Sequence, residues 1–313
     1  MPDKENRDGS ARDNIVVGHH YDFIDGLRGI AVLAVIWFHA SVFFFEVLGG
    51  DTSGYDTYYR LTLLGQTGVD LFFVISGFLI TGILIDTADH EHKFKKFYIR
   101  RALRIFPIYY GFLLFFTLIL VSQSYWSDVF SWKHVSFYIY MQNWSFQSHQ
   151  DIFALLNHTW SLAVEEQFYL VWPCLFWFLY KRSFKSTVVF CCIIIASSIF
   201  LRLCFSGYGY HKFSYTATFC RLDGLIIGAL ISVVFCNASG FLEKLRPYLL
   251  PIMVGSTLAM LVLLIGAQDN FSAHTFMMSY GIIFLNICFA AMLIMMLFAN
   301  KNVFKSLLCN RFF

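Results

Sequence analysis

Apolar runs about as long as a lipid bilayer is thick recur along this chain, and they leave it few folds to choose from. A helix needs about 20 predominantly apolar residues to cross the hydrocarbon layer. Eight runs meet that length, at 28–49, 67–86, 104–122, 160–180, 186–205, 215–236, 247–266 and 275–299. Charged residues make up only 14% of the 313, and apolar ones 58%. A soluble domain carries about a quarter charged residues. The expected fold is all-α, a polytopic transmembrane helical bundle with eight spans. A ninth run at 133–142 is short and polar, and reads as an interfacial or re-entrant segment.

Charge placement orients the bundle. With the N-terminus inside, 18 of the 23 Lys and Arg fall on the cytoplasmic side or at its edge, following the positive-inside rule. Making 133–142 a full span would move Lys181, Arg182 and Lys185 outside, against that rule. Residues 1–20 are polar and read as a flexible cytoplasmic tail, with the transmembrane domain over 21–313 and no cleavable signal peptide. The longest outer segment, 123–159, carries Trp126, Trp132 and Trp144, which suit a membrane interface. The net charge of +3 follows the loops and forms no patch for nucleic acid. Eight cysteines lie mostly within apolar runs without a CxxC pair, so they read as packing residues, and no metal is expected.

Polar residues inside the apolar runs are costly there and therefore point to function. Arg28 and His39 stand eleven residues apart, which returns them to nearly one helix face about 16 Å apart along the axis. With a span at 28–49, Arg28 lies at the inner edge and His39 near mid-depth. The bland alternative is an interfacial anchor and a satisfied core histidine. On the second run, Asp70 is either a functional acid or a helix-terminal cap, and Ser76-Gly77 is either polar machinery or a packing contact. Arg101 and Arg104, three apart, share a face and form either a phosphate clamp or a headgroup anchor. Glu165 and Glu166 lie more than a turn inside the fourth run and face different ways, so at least one should point into the bundle. Arg221 and Asp223 each need a partner on another helix, and Gly224 and Gly228 have the spacing of close helix packing.

Several of these stretches lie in one order: Phe23-Ile-Asp-Gly-Leu-Arg28, Arg28-x10-His39, Gly68-Val-Asp-Leu-Phe-Phe-Val-Ile-Ser-Gly-Phe78, Arg101-x-x-Arg104 with Pro107, Thr159-Trp-Ser-Leu-x-x-Glu165, and Arg221-Leu-Asp-Gly. Together they resemble the acyltransferase-3 family of integral membrane acyltransferases, which acylate sugars of cell-surface molecules. The resemblance implies an O-acyltransferase that takes acetyl from cytosolic acyl-CoA (acetyl-CoA) to a hydroxyl of a surface carbohydrate or lipid-linked sugar, in the cell membrane of a bacterium. It implies His39 as general base or transient acyl carrier, with Asp70 or Glu165 orienting the imidazole. Arg28, Arg101 and Arg104 would hold the CoA phosphates. Ser76, Trp160, Ser161 and Glu166 would contact substrate. It also implies a further span after Phe313, so the chain is expected to be C-terminally incomplete. Two alternatives stay open: a transporter or flippase lined by the same polar residues, and a non-catalytic relative that scaffolds glycan assembly. The sequence carries no signal for the acceptor or the oligomeric state.

Overall fold

The computed structural model describes residues 21–47, 58, 61–144, 152–266 and 275–299. Among these there are helices and turns and no strand, as the apolar runs require. The long helices are α1 (Asp22–Val47), α2 (Thr67–Asp86), α3 (Lys93–Ser122), α4 (Trp160–Tyr180), α5 (Phe184–Gly207), α6 (Thr218–Ile265) and α7 (Ile282–Leu297). The 1–20 tail lies outside the described residues.

Six helices among the described residues are long and apolar enough to cross a membrane, where eight spans were expected. Two of the expected runs fall within one continuous stretch, His211–Ile265, broken at Ala238 where φ is −149° and ψ 45°. Packing shows that the chain reverses there. Leu242 and Leu249 join a cluster with Phe235 and Met296, whereas Met260 and Leu264 join Leu63 and Met277. The other difference is α4, which is 21 residues long. Its Glu165, Glu166 and Gln167 lower its mean hydropathy. The run at 133–142 becomes a short helix, Trp132–Tyr138, capped by Ser131, whose hydroxyl accepts from the His134 amide at 3.2 Å. Seven residues do not cross a bilayer.

Helix α1 begins at Asp22, six residues before the apolar run, with Asp22 and Asp25 in its first turn. Acids are favourable at that positive helix end. The added turns bury Phe23, Ile24 and Leu27 against Val74, Ile75 and Phe78 of α2. Helix α3 shows the amphipathic logic of a peripheral span. Tyr109, Leu113, Phe116 and Leu120 are buried at helical spacing, while Leu103, Ile108 and Phe115 face outward.

Lipid is as apolar as Leu, so helices in it associate by close packing and polar bonds rather than by hydrophobic burial. Glycine provides the approach at the centre. A Cβ on Gly77 would stand 1.8 Å from the Leu225 carbonyl oxygen, and one on Gly228 would stand 1.9 Å from that of Val74. Helices α2 and α6 therefore touch backbone to backbone. Gly65 and Gly68 similarly abut the Ala34 and Ala31 carbonyls of α1. Helix α4 is tied to α2 by two buried indoles. Trp172 donates to Thr81 Oγ1 at 2.9 Å, and Trp177 donates to the Leu84 carbonyl at 3.0 Å.

Candidate active site

Helix α1 places Arg28 and His39 on opposite sides of its midpoint. The apolar stretch runs Asp22–Phe44, so its centre falls at residue 33 and His39 lies about 9 Å toward the C-terminal end. His39 is thus nearer the outer end than the mid-depth that a 28–49 span implied, because the helix starts earlier. Its ring is exposed. Nδ1 stands 2.8 Å from the Val35 carbonyl one turn back, which assigns the proton to Nδ1 and leaves the Nε2 lone pair free of that bond. The ring of His158, just before α4, approaches edge-on with centroids 6.1 Å apart.

The two carboxylates expected near this imidazole go elsewhere. Asp70 pairs with Arg221 at 2.5 Å, with side chains 3% and 1% exposed. Asp223 pairs with Arg202 at 2.8 Å, and Arg202 also donates to the Cys220 and Ser279 carbonyls at 2.7 and 3.1 Å. Asn286 donates to Asp223 at 2.9 Å. Two cations and two anions thus form a neutral buried quartet joining α2, α5, α6 and α7. The Arg221 guanidinium is also boxed by the rings of Phe73, Trp160 and Tyr215 at 5.4, 5.5 and 4.9 Å. Trp160 is therefore held against the quartet.

Glu165 turns instead toward α2. Ser76 donates to its carboxylate at 2.8 Å, and Tyr169, one turn along α4, bonds it as well. Arg101 from α3 lies over the Tyr169 ring at 4.7 Å and acts electrostatically on both Glu165 and Glu166, while Arg28 of α1 acts on Glu165. Of these residues from four separate stretches, Ser76 bonds Glu165 directly, and Arg101 and Arg28 act on it only through their charge. Arg28 also lies 3.7 Å from Asp25 on its own helix. Arg104 is exposed one turn beyond Arg101, and Ser161 is half-buried in the first turn of α4. Glu166, about 100° round α4 from Glu165, faces Tyr109, Tyr110 and Tyr140. At the N-terminal end of α3, His92, Lys95, Lys96 and Arg100 line an open basic groove.

Sequence reasoning did not single out Tyr169, although its i+4 spacing from Glu165 puts both on one face. Nor did it single out Arg202, Tyr140 or the His158 ring; their significance lies in contacts across helices. Among the described residues no group of three or more His, Cys, Asp or Glu is placed to hold a metal ion.

Comparison with known proteins identifies the family. The "Acyltransferase domain" model of the acyltransferase-3 family matches residues 21–312. A Staphylococcus aureus (strain COL) protein named "Putative O-acetyltransferase" is 32% identical over 228 residues, covering 68% of this chain and 34% of that protein. The peptidoglycan O-acetyltransferase OatA of Listeria monocytogenes is 35% identical over 162 residues, covering 48% of this chain and 23% of its own length. The chain thus spans about a third or less of the length of these curated relatives. No solved structure matches it. The order of motifs, the helical membrane architecture and the match along nearly the whole sequence lead to one assignment: the chain belongs to the acyltransferase-3 family of membrane acyltransferases.

Proposed function

We propose that this protein transfers an acetyl group from cytosolic acetyl-CoA to a hydroxyl of a cell-surface glycan, with the peptidoglycan strand as the acceptor class. The observation that carries this reading is the Ser76–Glu165 bond between α2 and α4, with Arg28 and Arg101 acting on Glu165 through their charge, within a member of an acyltransferase family. Support for the acceptor comes from a relative named for peptidoglycan O-acetylation. The groove lined by Lys95, Lys96 and Arg100 lies on the same helix as Arg101 and Arg104, at the end that the positive-inside arrangement puts on the cytoplasmic side. Guanidinium and ammonium groups there suit the phosphates of CoA.

In this reading the acceptor O–H gives its proton to His39 Nε2 as its oxygen attacks the thioester carbonyl carbon. The C–S bond breaks, the CoA thiolate takes the proton back, and an acetyl ester and a free thiol result. The Val35 carbonyl takes the part of the orienting carboxylate in a catalytic triad: it fixes the tautomer and aims Nε2. Arg28 and Arg101 hold the phosphates of CoA, and the bonds from Ser76 and Tyr169 hold Glu165 near them. Trp160 and Ser161 of α4, with Glu166, border the acceptor.

The test is incubation of the protein in membranes with radiolabelled acetyl-CoA and peptidoglycan glycan strands. His39→Ala should abolish ester formation while the protein still inserts. The double substitution Arg101→Ala with Arg104→Ala should raise the acetyl-CoA concentration needed for half-maximal transfer. Full transfer by the histidine variant removes His39 from the chemistry, and an unchanged acetyl-CoA dependence removes the arginines from donor binding.

A further inference from the structure

The first half of α3 has two opposed faces. On one, Phe97 is buried in a cluster with Val164 and Phe168 of α4, and Arg101 lies over the Tyr169 ring. On the other opens the basic groove, about 380 Å³ in volume, lined by His92, Lys95, Lys96, Ile99 and Arg100. All five are exposed and stand at the start of this one helix. At 3.6 residues per turn they lie about 100–180° round the helix from Arg101. The groove therefore looks away from the bundle.

Below the cations the same face is apolar. Ile99, Leu103 and Phe106 follow one another at helical spacing and are 46%, 71% and 38% exposed. Past Phe106 the face is covered. Tyr110 donates to the Tyr138 carbonyl at 3.0 Å, and the Phe106 and Tyr110 rings meet Tyr140 at 6.2 and 6.1 Å. The open strip from His92 to Phe106 rises about 21 Å. Half a bilayer with its headgroup layer is about 20–22 Å thick. The strip is thus cationic at one end, apolar along its length, and as long as one leaflet is deep.

We propose that this groove seats an anionic phospholipid of the inner leaflet, with its headgroup among Lys95, Lys96 and Arg100 and a chain along Ile99, Leu103 and Phe106. Ammonium and guanidinium groups bind phosphate oxygens strongly, and basic pockets at this depth favour anionic headgroups. The phosphates of CoA share that chemistry, but position separates the two ligands. CoA anchored here would have to carry its thioester round α3 to reach the Arg101 face, whereas a lipid stays on the side that faces lipid. The apolar strip also matches an acyl chain and has no counterpart in a nucleotide. A lipid seated there would anchor the end of α3 that carries Arg101. This site stands independently of the acetyl-transfer reading.

The full chain, purified in detergent, is titrated with dioleoylphosphatidylglycerol or with dioleoylphosphatidylcholine, and bound lipid is counted by native mass spectrometry. The two lipids share their chains and differ in headgroup charge. The protein should retain one phosphatidylglycerol about tenfold more tightly than phosphatidylcholine. Lys95→Gln with Lys96→Gln and Arg100→Gln should bring that preference within about twofold. Lys181→Gln with Arg182→Gln and Lys185→Gln removes equal charge elsewhere on the cytoplasmic side and should keep it. All six residues are exposed, so both triple variants should melt as the parent does by circular dichroism. Saturating CoA or inorganic phosphate should leave the lipid bound. No preference in the unsubstituted protein, or an equal loss in both triple variants, overturns the proposal. Displacement of the lipid by CoA also overturns it and gives the groove to the donor.

Discussion

Removing the Asp70 carboxylate should unsettle the bundle before it touches any chemistry. Asp70→Ala turns the neutral quartet into two guanidinium groups and one carboxylate, with Arg221 1% exposed. Breaking a buried ion pair from one side costs about 3–5 kcal/mol, because an uncompensated charge stays behind. Asp223 also acts on Arg221 and softens the loss, so the expected cost is near the lower end, about 3 kcal/mol. Replacing both partners behaves differently. Asp70→Leu with Arg221→Met removes both charges, and such exchanges are often neutral or stabilising. The double variant should therefore lose far less than the sum of the losses of Asp70→Leu and Arg221→Met taken singly. Equilibrium unfolding of the four proteins in mixed detergent micelles measures it, with acetyl transfer assayed in parallel. An Asp70→Ala protein as stable as the parent, or a double variant that loses the sum of the two single losses, refutes the structural account of the pair. A double variant that recovers stability but not transfer moves Asp70 from the scaffold into the reaction.

Gly77→Ala should force α2 and α6 apart, since its Cβ meets backbone at 1.8 Å and no side chain there can yield. The expected loss is about 1–3 kcal/mol by the same unfolding assay, and an unchanged stability would show the crossing to be looser than drawn. Ser76→Ala leaves Glu165 its Tyr169 bond but removes the 2.8 Å one, so transfer should fall about tenfold with the fold intact. Unaltered transfer would make Ser76 a packing residue only. Trp172→Phe loses the bond to Thr81 and should cost about 1 kcal/mol of stability without shifting the acetyl-CoA dependence; a shifted dependence would tie α4 packing to donor binding.

The candidate residues were legible in the chain, but not their partners. Arg28, Ser76, Arg101 and Glu165 come from four segments read separately; in the fold Ser76 bonds Glu165, and the two arginines act on it through their charge. The start of α1 was misplaced because hydropathy locates the apolar run and ignores helix ends. Asp22 and Asp25 mark the true beginning, and they move His39 toward the outer end. The helix count differed for a related reason. Glu165, Glu166 and Gln167 interrupt the apolar signal of α4, and Ala238 joins two runs into one stretch.

The amino-acid sequence by itself determined what one helix can dictate: an all-α membrane architecture, the shared face of Arg28 and His39, and membership of the family. It also required partners for Asp70, Arg221 and Asp223, because a lone charge in lipid is costly. Only the tertiary structure decided who those partners are. Asp70 and Arg221 stand 151 residues apart, and Ser76 and Glu165 stand 89 apart. Such pairings depend on which helix faces meet. Those faces are chosen by where glycine lets backbones touch and where bulky rings hold them off, and no local spacing records that choice.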